Sequence, residues 1–106
     1  MGEDIKKTKF KKYLTDQDFL MVEFFLKHGK IVEFCLQYDA LLDTKYRTIM
    51  RIDNCHGSLP HKHVYHQIKK QTKQFVDSDP HIAFNAGQKF ILVNFKKIKE
   101  NFIFAS

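Results

Sequence analysis

Leu20-Met-Val-Glu-Phe-Phe-Leu-Lys27, His28-Gly-Lys30 and Val32-Glu-Phe-Cys-Leu-Gln-Tyr-Asp39 decide the fold. In the first run Val22, Phe24 and Leu26 alternate with Glu23, Phe25 and Lys27. In the last run Val32, Phe34, Leu36 and Tyr38 alternate with Glu33, Cys35, Gln37 and Asp39. A period of two puts successive side chains on opposite faces of a strand. The glycine between the runs marks a tight turn, so the pair reads as a β-hairpin.

The same period continues outward. Tyr46, Thr48, Met50 and Ile52 are expected on one face of a third strand, with Arg47, Ile49, Arg51 and Asp53 on the other. After a loop from Cys55 to Pro60, His61, His63 and Tyr65 alternate with Lys62, Val64, His66 and Ile68, which suits a fourth strand antiparallel to the third. Residues 69–76 fit a helical turn and a strand end equally. Ser78-Asp79-Pro80 opens a helix: a side-chain oxygen caps the first free N–H groups, and Pro sits where no N–H is needed. Phe84, Ile91, Phe95, Ile98 and Phe102 then form one apolar stripe, interrupted by a weakening Gly87. The expected fold is α+β: a four-stranded, mostly antiparallel sheet over residues 19–68, with one long C-terminal helix over about 80–103 packed on one face.

At 106 residues the chain is one domain long, and 43% hydrophobic residues with eleven Phe suit a single compact core. Apolar runs such as Phe19-Leu-Met-Val22 are far too short to span a bilayer, so no membrane partner is expected. Cys35 and Cys55 lack a paired spacing and no signal peptide opens the chain, so a reducing cytoplasm is expected. The net charge of +6 favours nucleic acid or an acidic partner. Residues 1–18 read as a basic arm in which Lys6, Lys7, Lys9, Lys11 and Lys12 would track phosphates, joined by Lys62. Among sixteen lysines and two arginines, Arg51 stands out, because guanidinium grips phosphate through two parallel bonds.

Arg51 to His66 holds four of the six histidines. Imidazole titrates near neutrality, so grouped histidines can share general-base, general-acid and metal-ligand duties. Cleavage of RNA without a metal needs a base for the ribose 2′-hydroxyl, an acid for the 5′-oxygen and a cation for the phosphate. His61 and His63 suit the acid and base roles, with His56 and His66 as substitutes, Tyr65 as a stacking or proton-bearing neighbour, Arg51 on the phosphate and Asp53 orienting a histidine. The same atoms also suit zinc: His61 and His63 point the same way on a strand, and His56 or Asp53 would be a third ligand. A third possibility is a non-enzymatic module that binds RNA or an acidic protein, its histidines serving only the fold. Against all three stands an inert polar hairpin in which Arg51 and Asp53 form a structural ion pair.

Tyr46-Arg-Thr-Ile-Met-Arg-Ile-Asp-Asn-Cys-His56 with Pro60-His-Lys-His63 resembles the arginine–x–aspartate–asparagine and histidine–lysine–histidine signature of small proteins that include the TumE-type toxins of toxin–antitoxin pairs. It is also similar to a related small family with an arginine-phenylalanine-aspartate-x-alanine-histidine-glycine segment. The likeness covers roughly residues 31–66 and is carried by Arg51, Asp53, Asn54, His61 and His63. The loop after Asn54 is shorter than in those toxins, and the basic arm has no counterpart there. The resemblance implies a toxin acting on RNA, with an antitoxin protein as partner; the acid–base reading needs no cofactor, zinc is the alternative, and a homo-oligomer stays open.

Overall fold

The computed structural model describes residues 5–54, 59–65 and 72–104. Its strands are β1 (Ile5–Thr15), β2 (Asp18–Lys27), β3 (Lys30–Leu42), β4 (Lys45–Asp53), β5 (His61–Val64) and β6 (Thr72–Phe75), followed by helix α1 (Pro80–Phe104). All neighbours pair antiparallel in chain order, giving a six-stranded meander instead of the expected four. At the β2–β3 turn His28 and Gly29 both have positive φ, 52° and 77°, the two-residue geometry whose twist matches that of the flanking strands.

Both additional strands lie at the edges. The basic arm is itself β1, paired with β2 from Ile5↔Lys27 to Thr15↔Asp18. It shows no apolar alternation because most of its length is exposed on both faces, and lysine on an edge strand discourages pairing with other chains. Phe10, opposite Val22, and Leu14, packed on the core, are its apolar contribution. The segment whose sequence suits helix and strand equally contains β6.

Two irregularities shift the expected faces. Phe25 pairs with Glu33 but Leu26 with Ile31, so Val32 is an extra residue and stands 41% exposed while Ile31 is buried. Tyr38 pairs with Met50 but Asp39 with Thr48, which leaves Ile49 over. Ile49 therefore turns into the core, and Tyr46 and Thr48 move to the face of Arg51, away from Met50 and Ile52. A bulge inverts a period-two pattern beyond it, which strict alternation does not anticipate.

Asp79 caps α1 as expected, its Oδ1 accepting the N–H groups of His81 at 2.9 Å and Ile82 at 3.4 Å. Phe84, Ile91, Ile98 and Phe102 are buried against Leu20, Val22, Phe34, Leu36, Tyr38, Met50 and Ile52, the helix side of the sheet. Phe84 meets Phe24 and Phe34 edge-on, and Phe95 meets Tyr38 likewise. One polar cluster joins these layers: buried Asp18 accepts the Tyr38 hydroxyl at 2.6 Å and the Thr15 hydroxyl, and Lys99 of α1 lies 3.6 Å from it. Burial, then the bond and charge of Asp18, push the Tyr38 phenol far above its ordinary range, so it stays a donor.

Gly87 sits where the helix backbone packs directly on sheet side chains. A Cβ there would lie 3.1 Å from Ile52 Cδ1 and 3.2 Å from Leu36 Cδ1. Gly87→Val, which adds a branched side chain at this contact, is expected to destabilise the protein by about 1–3 kcal/mol, read as a lowered midpoint in urea unfolding.

Candidate functional site

The β4–β5 register pairs Arg51 with His63 and Asp53 with His61. Directly paired residues share a face, and Met50↔Val64 and Ile52↔Lys62 occupy the helix side. Arg51, Asp53, His61 and His63 therefore stand together on the face turned away from α1, as the alternation predicts.

Asp53 is the centre of this group. Its Oδ2 lies 2.8 Å from Arg51 Nε and 3.4 Å from His63 Nε2. The Arg51–Asp53 contact is an ion pair. Asp53 and His63 are buried while the Arg51 side chain is 37% exposed, so the guanidinium is the member of the trio that reaches outward. Burial pulls the Arg51 pKa down, but Tyr65, Asp53 and Cys35 outweigh it and raise the pKa above its ordinary value; the positive charge is permanent. Nδ1 of His61 lies 2.6 Å from the carbonyl oxygen of Leu59. A neutral imidazole donates through Nδ1 to that acceptor, which makes Nε2 the basic nitrogen.

Tyr65, just beyond β5, packs at the edge of the core and lines a hollow of about 350 Å³ with Ile49, Met50, Phe90 and Ile98. The lysines expected to follow RNA divide between two faces. Lys7, Lys9 and Lys11 pair with Phe25, Glu23 and Met21 on the face of Arg51, whereas Lys6 and Lys12 pair with Leu26 and Leu20 on the helix side. Lys62 also lies on the helix side, its Nζ 4.7 Å from the centre of the Phe90 ring, so it belongs to no surface shared with the histidines. His56, His66 and Cys55 lie outside the described residues. Among the described residues no three histidine, cysteine or acidic side chains are grouped to hold a metal ion.

Asn54 carries the resemblance quoted above, and its structural part becomes visible only in the fold. Its Oδ1 accepts the N–H of Phe34 at 2.8 Å and its Nδ2 donates to the carbonyl of Val32 at 3.0 Å. His81 Nδ1 accepts the N–H of Ile31 at 3.3 Å. Two side chains thus satisfy three backbone groups around the Val32 bulge, and Asn54 anchors the strand end that carries Asp53. A bulge has no signature in the alternation, so the carboxamide's role was not legible beforehand.

A family model described as "Domain of unknown function (DUF7718)" matches residues 5–105. No curated protein and no solved structure matches the chain. Among the described residues no helix is long and apolar enough to cross a membrane.

Asn54→Ala is expected to cost about 1–3 kcal/mol, chiefly by leaving the Phe34 N–H without its acceptor. Asn54→Asp keeps that acceptor but sets a carboxylate against the Val32 carbonyl, so it too should lower the urea midpoint. Unchanged midpoints for both variants would show that the carboxamide does not hold this strand end.

Proposed function

The chain belongs to the DUF7718 family, and we propose that its open sheet face is a metal-independent ribonuclease site of a toxin-like protein. The observation that carries this is the joint placement of a permanent cation, a buried carboxylate and two histidines on one face, with Asp53 Oδ2 2.8 Å from Arg51 Nε and 3.4 Å from His63 Nε2. Motif-level resemblance to TumE-type toxins supports the same chemistry, and the net charge of +6 favours a polyanionic substrate.

In the proposed reaction Arg51 holds the scissile phosphate. His61 Nε2 takes the 2′-hydroxyl proton, and the 2′-oxygen attacks phosphorus. The bond to the 5′-oxygen breaks, and that oxygen takes a proton from His63, which Asp53 orients. The products are a 2′,3′-cyclic phosphate and a free 5′-hydroxyl. His61 and His63 are two residues apart on β5, about 6.8 Å along the strand, a separation that suits an acid and a base on either side of one phosphate. A non-enzymatic RNA-binding module would use the same face without the proton transfers. Zinc chemistry would use His61 and His63 as ligands and require a third from outside the described residues.

Purified protein should cut RNA in the presence of a chelator, and a 2′-deoxy substitution at the cleaved position should block it. His61→Ala should lower the rate by about 10²–10⁴-fold with unchanged thermal melting, whereas Arg51→Ala should lower the rate and the melting temperature together, because it strips buried Asp53 of its cation. His63 is buried beside Asp53, so its alanine variant would mix stability with catalysis. Expression of wild type without an antitoxin should arrest growth, and expression of either variant should not. Absence of cleavage by wild type would leave the binding module standing; loss of cleavage on chelation would make the histidines metal ligands.

A further inference from the structure

At the end of the open face away from Asp53, three aromatic rings cross the sheet. Tyr13 of β1 lies 5.8 Å from Phe19 of β2, and Phe19 lies 5.1 Å from Tyr46 of β4, measured between ring centres. Phe19 is buried, but Tyr13 is 59% and Tyr46 44% exposed. Lys11 Nζ stands 4.4 Å above the Phe19 ring and 5.7 Å from that of Tyr13. Core packing does not account for two large, half-exposed tyrosines around a capped phenylalanine. The bulge at Ile49 is what brings Tyr46 to this face.

Lys7, Lys9 and Lys11 run along the same face of β1, about 6.8 Å apart in an antiparallel strand. That spacing is comparable to the distance between successive phosphates of an extended strand. Glu23 offsets Lys7 at 3.4 Å, and Lys11 is the lysine of this row that stands over the rings, where Asp39 pairs with Phe19 on the same face. Tyr46 and Arg51 lie on one strand, about 15 Å apart. Rings whose planes are available for stacking, beside a row of cations, match unpaired bases joined by phosphates; duplex bases are already stacked and offer no faces.

The geometry points to a single-strand platform: Tyr13 and Tyr46 stack unpaired bases, Lys11 above the Phe19 ring holds a phosphate between them, and the strand continues to Arg51. This deepens the ribonuclease reading by naming single-stranded RNA as its substrate class, and it rests on that reading only for the cleavage step. Gln37, whose amide lies 3.2 Å from the Thr48 hydroxyl and 3.1 Å from Asp39, fills the polar interval along the path.

The test is fluorescence anisotropy with a fully 2′-O-methylated twelve-nucleotide strand, which cannot be cut, and with its duplex. Wild type should bind the single strand more tightly than the duplex. The Tyr13→Ala/Tyr46→Ala double variant should bind it about ten- to a hundredfold more weakly, while Tyr13→Phe/Tyr46→Phe retains binding because the ring faces remain. Circular dichroism and thermal melting verify that both variants fold. Equal binding of duplex and single strand, or no effect of the alanine pair, would overturn the platform, including in a protein that cuts RNA. Selective single-strand binding by a protein that cuts nothing would uphold the platform and remove the ribonuclease.

Discussion

A sheet covered by a helix on one side only obliges each strand to sort its side chains by alternation, and every feature of the candidate site depends on that constraint. The helix side collects Leu20, Val22, Phe34, Leu36, Tyr38 and Ile52 beneath α1. What alternates with them has no helix to pack against and is free to be polar. Register does the rest: a slip of one residue between β4 and β5 would turn His61 and His63 toward α1 and Lys62 toward Asp53. Ile52 and Met50, buried on their own face, oppose such a slip, so the apolar core holds the polar cluster in place without touching it.

Asp53 shows what this scaffold holds together on its open face. A buried carboxylate is costly unless it is paired; here the Arg51 guanidinium supplies the opposite charge, and the His63 ring lies 3.4 Å away. The exchange fixes all three side chains, leaving the guanidinium as the exposed end of the group. Asn54 extends the same order to the neighbouring strand, since its carboxamide continues the β3–β4 bonding past the last paired residues, Cys35 and Asp53. Within one tetrapeptide Arg51 and Asp53 face the site, Ile52 faces the core, and Asn54 secures the junction.

Where the alternation was uninterrupted, the sequence was a reliable guide. The central hairpin, the Asp79 cap, the Phe84-to-Phe102 stripe and the shared face of Arg51, Asp53, His61 and His63 were all legible. Three features were not. The edge strand β1 hides its period because its neighbours are mostly lysines on both sides. The extra residues Val32 and Ile49 invert the pattern without any glycine to announce them, which misplaced Val32, Tyr46 and Thr48. Gly87, readable in sequence only as a weakness in a helix, is where a side chain would crowd Leu36 and Ile52. The lysines could be counted but not divided between faces until β1 had a partner.

The central claim is that RNA is handled on the face opposite α1. Titration of isotope-labelled protein with a short 2′-O-methylated RNA, followed by nuclear magnetic resonance, tests it most directly. Shifts concentrated at Tyr13, Tyr46, Arg51, His61 and His63, with Phe90 and Val93 on α1 unmoved, are the predicted result. Shifts confined to the outer surface of α1, or none at all with RNA in excess, would contradict it.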